Sequence, residues 1–174
     1  MKAVRVLPRL LLGALMLVTL SFAGSCGKLK GYTPTAEVKS TLVRRSADYL
    51  GFILLGDQTR LEGMVLWVDF LGDGEKHLDK TSYFQQVQQA KSLWPDDASN
   101  PLLQLDLRSI DVSEDEAEVI LRKINSPSSP EIRLFFRWTG SGWMIADDSL
   151  FGTDGLIGKT IAAKKDSPNE TADG

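Results

Sequence analysis

The chain has 174 residues, 43% of them hydrophobic and 25% charged, which is enough apolar material for a core that needs no disulfide or metal staple. Its net charge of −3 hides an asymmetry: Lys2, Arg5 and Arg9 stand without an acid in residues 1–25, and the remainder carries 17 basic against 23 acidic side chains. An acidic domain has no strong attraction for phosphate backbones, so no nucleic-acid partner is expected, and a single cysteine excludes an internal disulfide and a cysteine-based metal cage.

Residues 1–25 read as a signal peptide. A basic opening, MKAVRVLPR, leads into a charge-free apolar run over residues 10–24, and the small residues Ala23, Gly24 and Ser25 then precede Cys26. The run is shorter than the roughly 20 residues of a transmembrane span. Ala23-Gly24-Ser25 also satisfies the small-x-small rule of an ordinary secretory cut. With the cysteine included, the stretch Phe22 to Cys26 resembles the lipobox of bacterial lipoproteins, with Ala23 where that motif usually has leucine. There, small residues precede a cysteine that is diacylated before cleavage. A thiol is the nucleophile such a transfer needs, and buried acyl chains contribute about 0.8 kcal/mol per methylene at a membrane. The resemblance implies Cys26 as the lipidation site, residues 26–32 as a lipidated tether, and the membrane as a partner through that anchor. With Gly27 rather than aspartate beside the cysteine, it further implies export across the inner membrane and an outer-membrane address facing the periplasm.

The mature domain is expected over residues 33–151. Thr33 and Pro34 read as a helix start, followed by an apolar stripe at Val43, Ala47, Leu50 and Leu54 with Arg44, Arg45 and Asp48 opposite. Gly56-Asp57 ends that helix and caps a second one with a stripe at Leu61, Met64, Val65, Val68 and Leu71; the segment MVLWVDF reads equally as a strand. Ser82 and Gln85, in capping-box spacing, open a third helix that Pro95 stops. After Pro101 the period changes from helical to alternating. Leu103, Leu105 and Leu107 alternate, and then the phase slips to Ile110 and Val112, which predicts a bulge near Arg108-Ser109. AEVILRKI, EIRLFFRW and WMIADDS supply three more strands with short turns, hence an antiparallel sheet. From residue 152 to 174 the chain turns polar and is expected to be mostly disordered. Helices first and meandering strands second make an α+β domain, N-terminal helices packed on one face of a curved antiparallel sheet.

A long helix ending in ADYLGFILLGDQTRLEGMV, and a final hairpin FFRWTGSGWMIADDS in which a tryptophan follows a glycine turn, together resemble nuclear transport factor 2-like domains over roughly residues 34–150. The resemblance implies a cone-shaped fold, often a homodimer through the sheet, with a pocket between sheet and helices. Members include isomerases, dehydratases and hydrolases, and also non-catalytic binding domains of bacterial lipoproteins.

Candidate chemistry is sparse. His77, the only histidine, lies in Glu75-Lys76-His77-Leu78-Asp79, where an Asp–His pair would serve as a general base and an exposed connection would simply keep it solvated. Asp69 to Gly74 faintly echoes a calcium loop, but Leu71 and Lys80 stand where oxygen ligands belong, so no metal is expected. Asp147 and Asp148 end the last strand on opposite faces, which rules out a shared-proton dyad. One of them on the side of Trp143, walled by aromatics, would form a pocket acid; the plainer alternative is an acidic strand end in solvent. Phe135, Phe136, Trp138 and Trp143 serve either a pocket, a dimer face or the core. No glycine elbow, Walker loop or dinucleotide fingerprint occurs, so no cofactor and no catalytic residue is assigned. The reading these features favour is a lipid-anchored, non-catalytic domain that binds envelope proteins or a small apolar ligand; the alternative is an isomerase, dehydratase or hydrolase using a pocket acid.

Overall fold

The computed structural model describes residues 35–72, 78–94, 100, 102–124 and 128–166. Four helices precede a four-stranded antiparallel sheet, and a fifth helix follows it: α1 (Ala36–Leu55), α2 (Gln58–Glu62), α3 (Trp67–Gly72), α4 (Lys80–Leu93), β1 (Leu105–Ser113), β2 (Glu116–Lys123), β3 (Ile132–Trp138), β4 (Trp143–Asp148) and α5 (Leu156–Asp166). The strands lie in the order β1-β2-β3-β4, so the sheet is a simple meander within an α+β domain.

The first helix is capped at Thr35, whose hydroxyl accepts the Val38 N–H at 3.3 Å, two residues beyond the expected cap at Thr33. Its buried face is Leu42, Ser46, Tyr49, Leu50 and Ile53. This differs from the expected stripe, which shares only Leu50 and leaves Val43 41% exposed. The larger side chains decide the rotation, because Tyr49 and Ile53 offer more apolar area than Val43 and Ala47. Ser46 joins them without penalty because its hydroxyl donates to the Leu42 carbonyl one turn back. At the helix end Gly56 takes φ +67°, and the N–H groups of Gly56 and Asp57 bond the carbonyls of Ile53 and Phe52.

Asp57 caps α2, as read from the sequence, accepting the Arg60 N–H at 3.2 Å. The single second helix expected over residues 57–72 is instead two. Between them Met64 to Leu66 run beside β4, with a parallel bridge from Val65 to Ile145; Ile145 N–H donates to the Met64 carbonyl and Leu66 N–H to the Ile145 carbonyl. The strand-like character of MVLWVDF is thus realised for one bridge, and it covers the β4 edge. The fourth helix starts at Asp79 rather than at Ser82. The Asp79 carboxylate accepts the Ser82 N–H at 2.7 Å, and bonds from Ser82 hold its carboxyl below the ordinary 3.8.

In the sheet, the predicted bulge is present at Arg108, between the pairs Leu107–Leu121 and Ser109–Ile120. It keeps Leu105 and Leu107 on the same face as Ile110 and Val112. That face continues through Val119, Leu134, Phe136 and Ile145, all buried in one core with Leu42, Tyr49 and Ile53 of α1. The opposite face is ruled by charge pairs, Arg133 to Glu118 and Arg137 to Glu116, each at 3.0 Å, with Arg122 on Glu131.

The stretch expected to be disordered from residue 152 onward contains α5. Its anchors are few but deeply placed: Leu150, Phe151 and Ile157 are buried, and Ile157 N–H donates to the Leu150 carbonyl at 2.8 Å. Polar composition concealed them, because two glycines let the helix dock against backbone. A Cβ on Gly158 would stand 1.8 Å from the Gly152 carbonyl oxygen, and one on Gly155 2.3 Å from that of Leu150. Ile157→Ala is expected to cost about 2–5 kcal/mol in urea unfolding, the range for emptying a fully buried site. Gly158→Ala is expected to destabilise as well, by forcing the helix off the loop, whereas in a disordered tail both changes would be silent.

Candidate functional site

A cleft of about 1270 Å³ is lined by α3, by parts of all four strands and by the loop that follows β4. Its wall holds seven carboxylates, among them Asp69, Glu116, Glu118 and Asp147, and one guanidinium, Arg137. Most of this charge is engaged. Arg137 lies 2.7 Å from Asp69 and 3.0 Å from Glu116, and Glu118 accepts from Arg133. These partly exposed pairs set geometry more than they add stability. Asp147 is half-buried, and its Oδ1 accepts the N–H of Asp148 at 2.7 Å.

Asp148 is placed by a second bulge. Phe136 pairs with Ile145 and Phe135 with Asp147, so Ala146 is the extra residue on β4. Strict alternation from Trp143 through Ile145 would have sent Asp147 into the core. The inserted residue sends Asp148 there instead, opposite Leu134, and leaves it only 4% exposed. The solvent-exposed strand end foreseen as the plainer alternative therefore fails for Asp148, although the two acids do point to opposite faces.

Inside, that carboxylate accepts three donors. Tyr49 O–H of α1 donates to Oδ2 at 2.5 Å, and the N–H groups of Leu150 and Phe151 donate to Oδ1 at 2.9 and 3.1 Å. The Tyr83 hydroxyl of α4 lies 3.1 Å from that of Tyr49. Since the carboxylate, the stronger acceptor, takes the one Tyr49 proton, Tyr83 donates to the Tyr49 oxygen, giving a relay Tyr83→Tyr49→Asp148. Tyr83 is held in turn by rings: Trp67, Phe70 and Phe84 lie 5.2–5.4 Å away and Phe151 4.3 Å away. Gln86 of α4 accepts the Gly152 N–H, closing the loop from the other side. Burial, and then the charge of Asp148, push the Tyr49 phenol well above its ordinary 10.0 and raise Tyr83 likewise. Both phenols are wholly buried and stay protonated near neutral pH. A substrate cannot touch them without the core opening, and the carboxylate that Tyr49 bonds already accepts three donors.

The other sequence candidates are dispersed. Trp143 is 5% exposed and packs edge-on against Trp138 at 5.6 Å, in the core rather than in the cleft wall. Phe136 is buried, while Phe135 and Trp138 are 37% and 44% exposed. Asp69, the first residue of the calcium-loop echo, is on α3 beside Arg137. His77 and Cys26 lie outside the described residues. Among the described residues no three acidic, histidine or cysteine side chains gather as a metal site, and no helix is long and apolar enough to cross a membrane. The two tyrosines were missed from sequence. Their signal was the spacing Leu42, Tyr49, Ile53, which puts a phenol on a core face, where its hydroxyl needs a buried partner. No family model, curated protein or solved structure matches the chain.

Tyr49→Phe removes one donor from a buried carboxylate and is expected to cost about 1.5–3 kcal/mol in chemical denaturation. The pH dependence has a definite sign. The native phenols hold their protons to higher pH than the unfolded ones, so their contribution is complete below pH 10 and falls as pH rises through and beyond it. Stability measured between about pH 9 and 11 should therefore drop, and drop less steeply in the Tyr49→Phe, Tyr83→Phe double variant.

Proposed function

We propose that the chain is a lipid-anchored protein of the bacterial cell envelope whose domain binds a partner rather than transforming a substrate. The observation that carries this reading is the closure of Asp148. An isomerase, dehydratase or hydrolase of this design needs an acid presented to the cleft beside a polar partner, and here the most deeply placed acid has its oxygens taken up by Tyr49, Leu150 and Phe151. Asp69, Glu116, Glu118 and Asp147 at the cleft surface are engaged with Arg137, Arg133 and a backbone amide, an arrangement suited to shaping a surface and not to moving protons.

The anchor rests on the order of features around Cys26: a basic start, a charge-free run, three small residues, then the only thiol of the chain. The nuclear transport factor 2-like cone is part of the same proposal. Helices packed on the apolar face of the meander, and the Val65–Ile145 bridge that joins the helical half to the last strand, support it.

Intact mass of the membrane-extracted protein, wild type beside Cys26→Ser, tests the anchor. The expected wild-type chain begins at Cys26 with added acyl mass, and the variant lacks it. An unacylated wild-type chain in the soluble fraction would end the lipoprotein reading.

A further inference from the structure

The outward face of α1 carries a second stripe of small and apolar residues, of which Val43 and Ala47 are left exposed by the described residues while Leu54 packs partly against the core. Ser40, Val43, Ala47, Gly51 and Leu54 recur at intervals of three and four, so they share one side of the helix. Val43 is 41% exposed, Ala47 is exposed, and Leu55 at the margin of the stripe is 63% exposed. At Gly51 there is no atom within 4 Å of where a Cβ would stand. This stripe is continuous with the core face through Leu50, so α1 is apolar over a wider arc than its own core needs.

We propose that this face pairs with a second copy of the chain, α1 against α1 in antiparallel fashion. The charges beside the stripe select that occupant. Arg44 and Asp48 are both exposed, and neither is in an ion pair among the described residues. A two-fold axis near Ala47 reverses one helix against the other, so Arg44 of each copy meets Asp48 of the other, twice per dimer. A partner of one charge sign would be attracted by one of these residues and repelled by the other. The small residues at the centre, Ala47 and Gly51, let the two helices approach closely, and the exposed Val43 and Leu55 flank them. The outer sheet face differs in kind, since its arginines and glutamates are already matched within one chain. A 20-residue helix is about 30 Å long, and one face of it offers less than the roughly 800 Å² per partner of a tight complex. The association is therefore weak in solution, with a dissociation constant on the order of 100 μM.

The test is sedimentation of the chain from Gly27 onward, up to about 1 mM. The buried core is drawn from residues 42–157, so this chain keeps all of it. The expected result is a monomer–dimer equilibrium that Ala47→Glu weakens at least about tenfold. Arg44→Asp should weaken it by a similar factor, and adding Asp48→Arg should restore it, because the exchange regenerates both pairs. These positions face outward, and an unchanged near-ultraviolet circular dichroism spectrum would confirm an intact fold. A strict monomer at the highest concentration overturns the proposal. So does a dimer indifferent to Ala47→Glu but broken by Phe135→Arg, which would place the contact on the sheet. Failure of the charge exchange to rescue overturns the antiparallel register.

Discussion

The hydrogen bond from Tyr49 to Asp148 joins the helical half of the domain to the last strand, and much of the architecture follows from keeping that carboxylate satisfied. An acid removed from water is costly by several kcal/mol unless donors surround it. The bulge at Ala146 aims Asp148 inward, and once there it requires amides as well as a phenol. The chain supplies them by folding straight back after β4, so that Leu150 and Phe151 present their N–H groups. That return puts Phe151 against Tyr83, puts Gly152 under Gln86, and starts α5 where it docks on α4. One inserted residue in a six-residue strand thus sets the position of the return loop and of α5.

The same arrangement separates burial from reactivity. A buried acid beside two tyrosines has the composition of a catalytic site, yet the phenols are locked in their protonated form and the acid already accepts three donors. The neighbouring cleft is acidic in composition, and three of its carboxylates, Asp69, Glu116 and Glu118, are paired with Arg133 and Arg137. Among the described residues, the outward side of α1 keeps Val43 and Ala47 exposed beside Arg44 and Asp48, the surface on which the proposed self-association rests.

Much of the architecture was legible in the sequence, and the failures share a cause. The bulge at Arg108 announced itself because Leu103 to Val112 is long enough for a phase slip to be visible, whereas WMIADD is too short to reveal the slip at Ala146. The helix break at Gly56-Asp57 was legible from local chemistry alone. The break between α2 and α3 was not, since it depends on Ile145, eighty residues away. On α1 the pattern contained two overlapping apolar stripes, and spacing alone cannot choose between them; the stripe at Val43 and Ala47 is real but faces outward. The fifth helix escaped because its few apolar anchors, Leu150, Phe151 and Ile157, stand in a polar stretch and dock through glycine contacts that composition does not show. Of the candidate site, Asp148 and Trp143 could be named but not their burial, while Tyr49 and Tyr83 required knowledge of which face of α1 and α4 the core would take.

The most direct measurement of the central claim, that Asp148 is the structural staple of the domain, is amide hydrogen exchange of the unmodified protein. If the carboxylate holds the loop, the N–H groups of Leu150 and Phe151 exchange only on global unfolding, at rates matching the central amides of β3. Exchange of those two amides at the rate of an exposed loop, while β3 stays protected, would contradict the account and return Asp148 to the list of groups free to act.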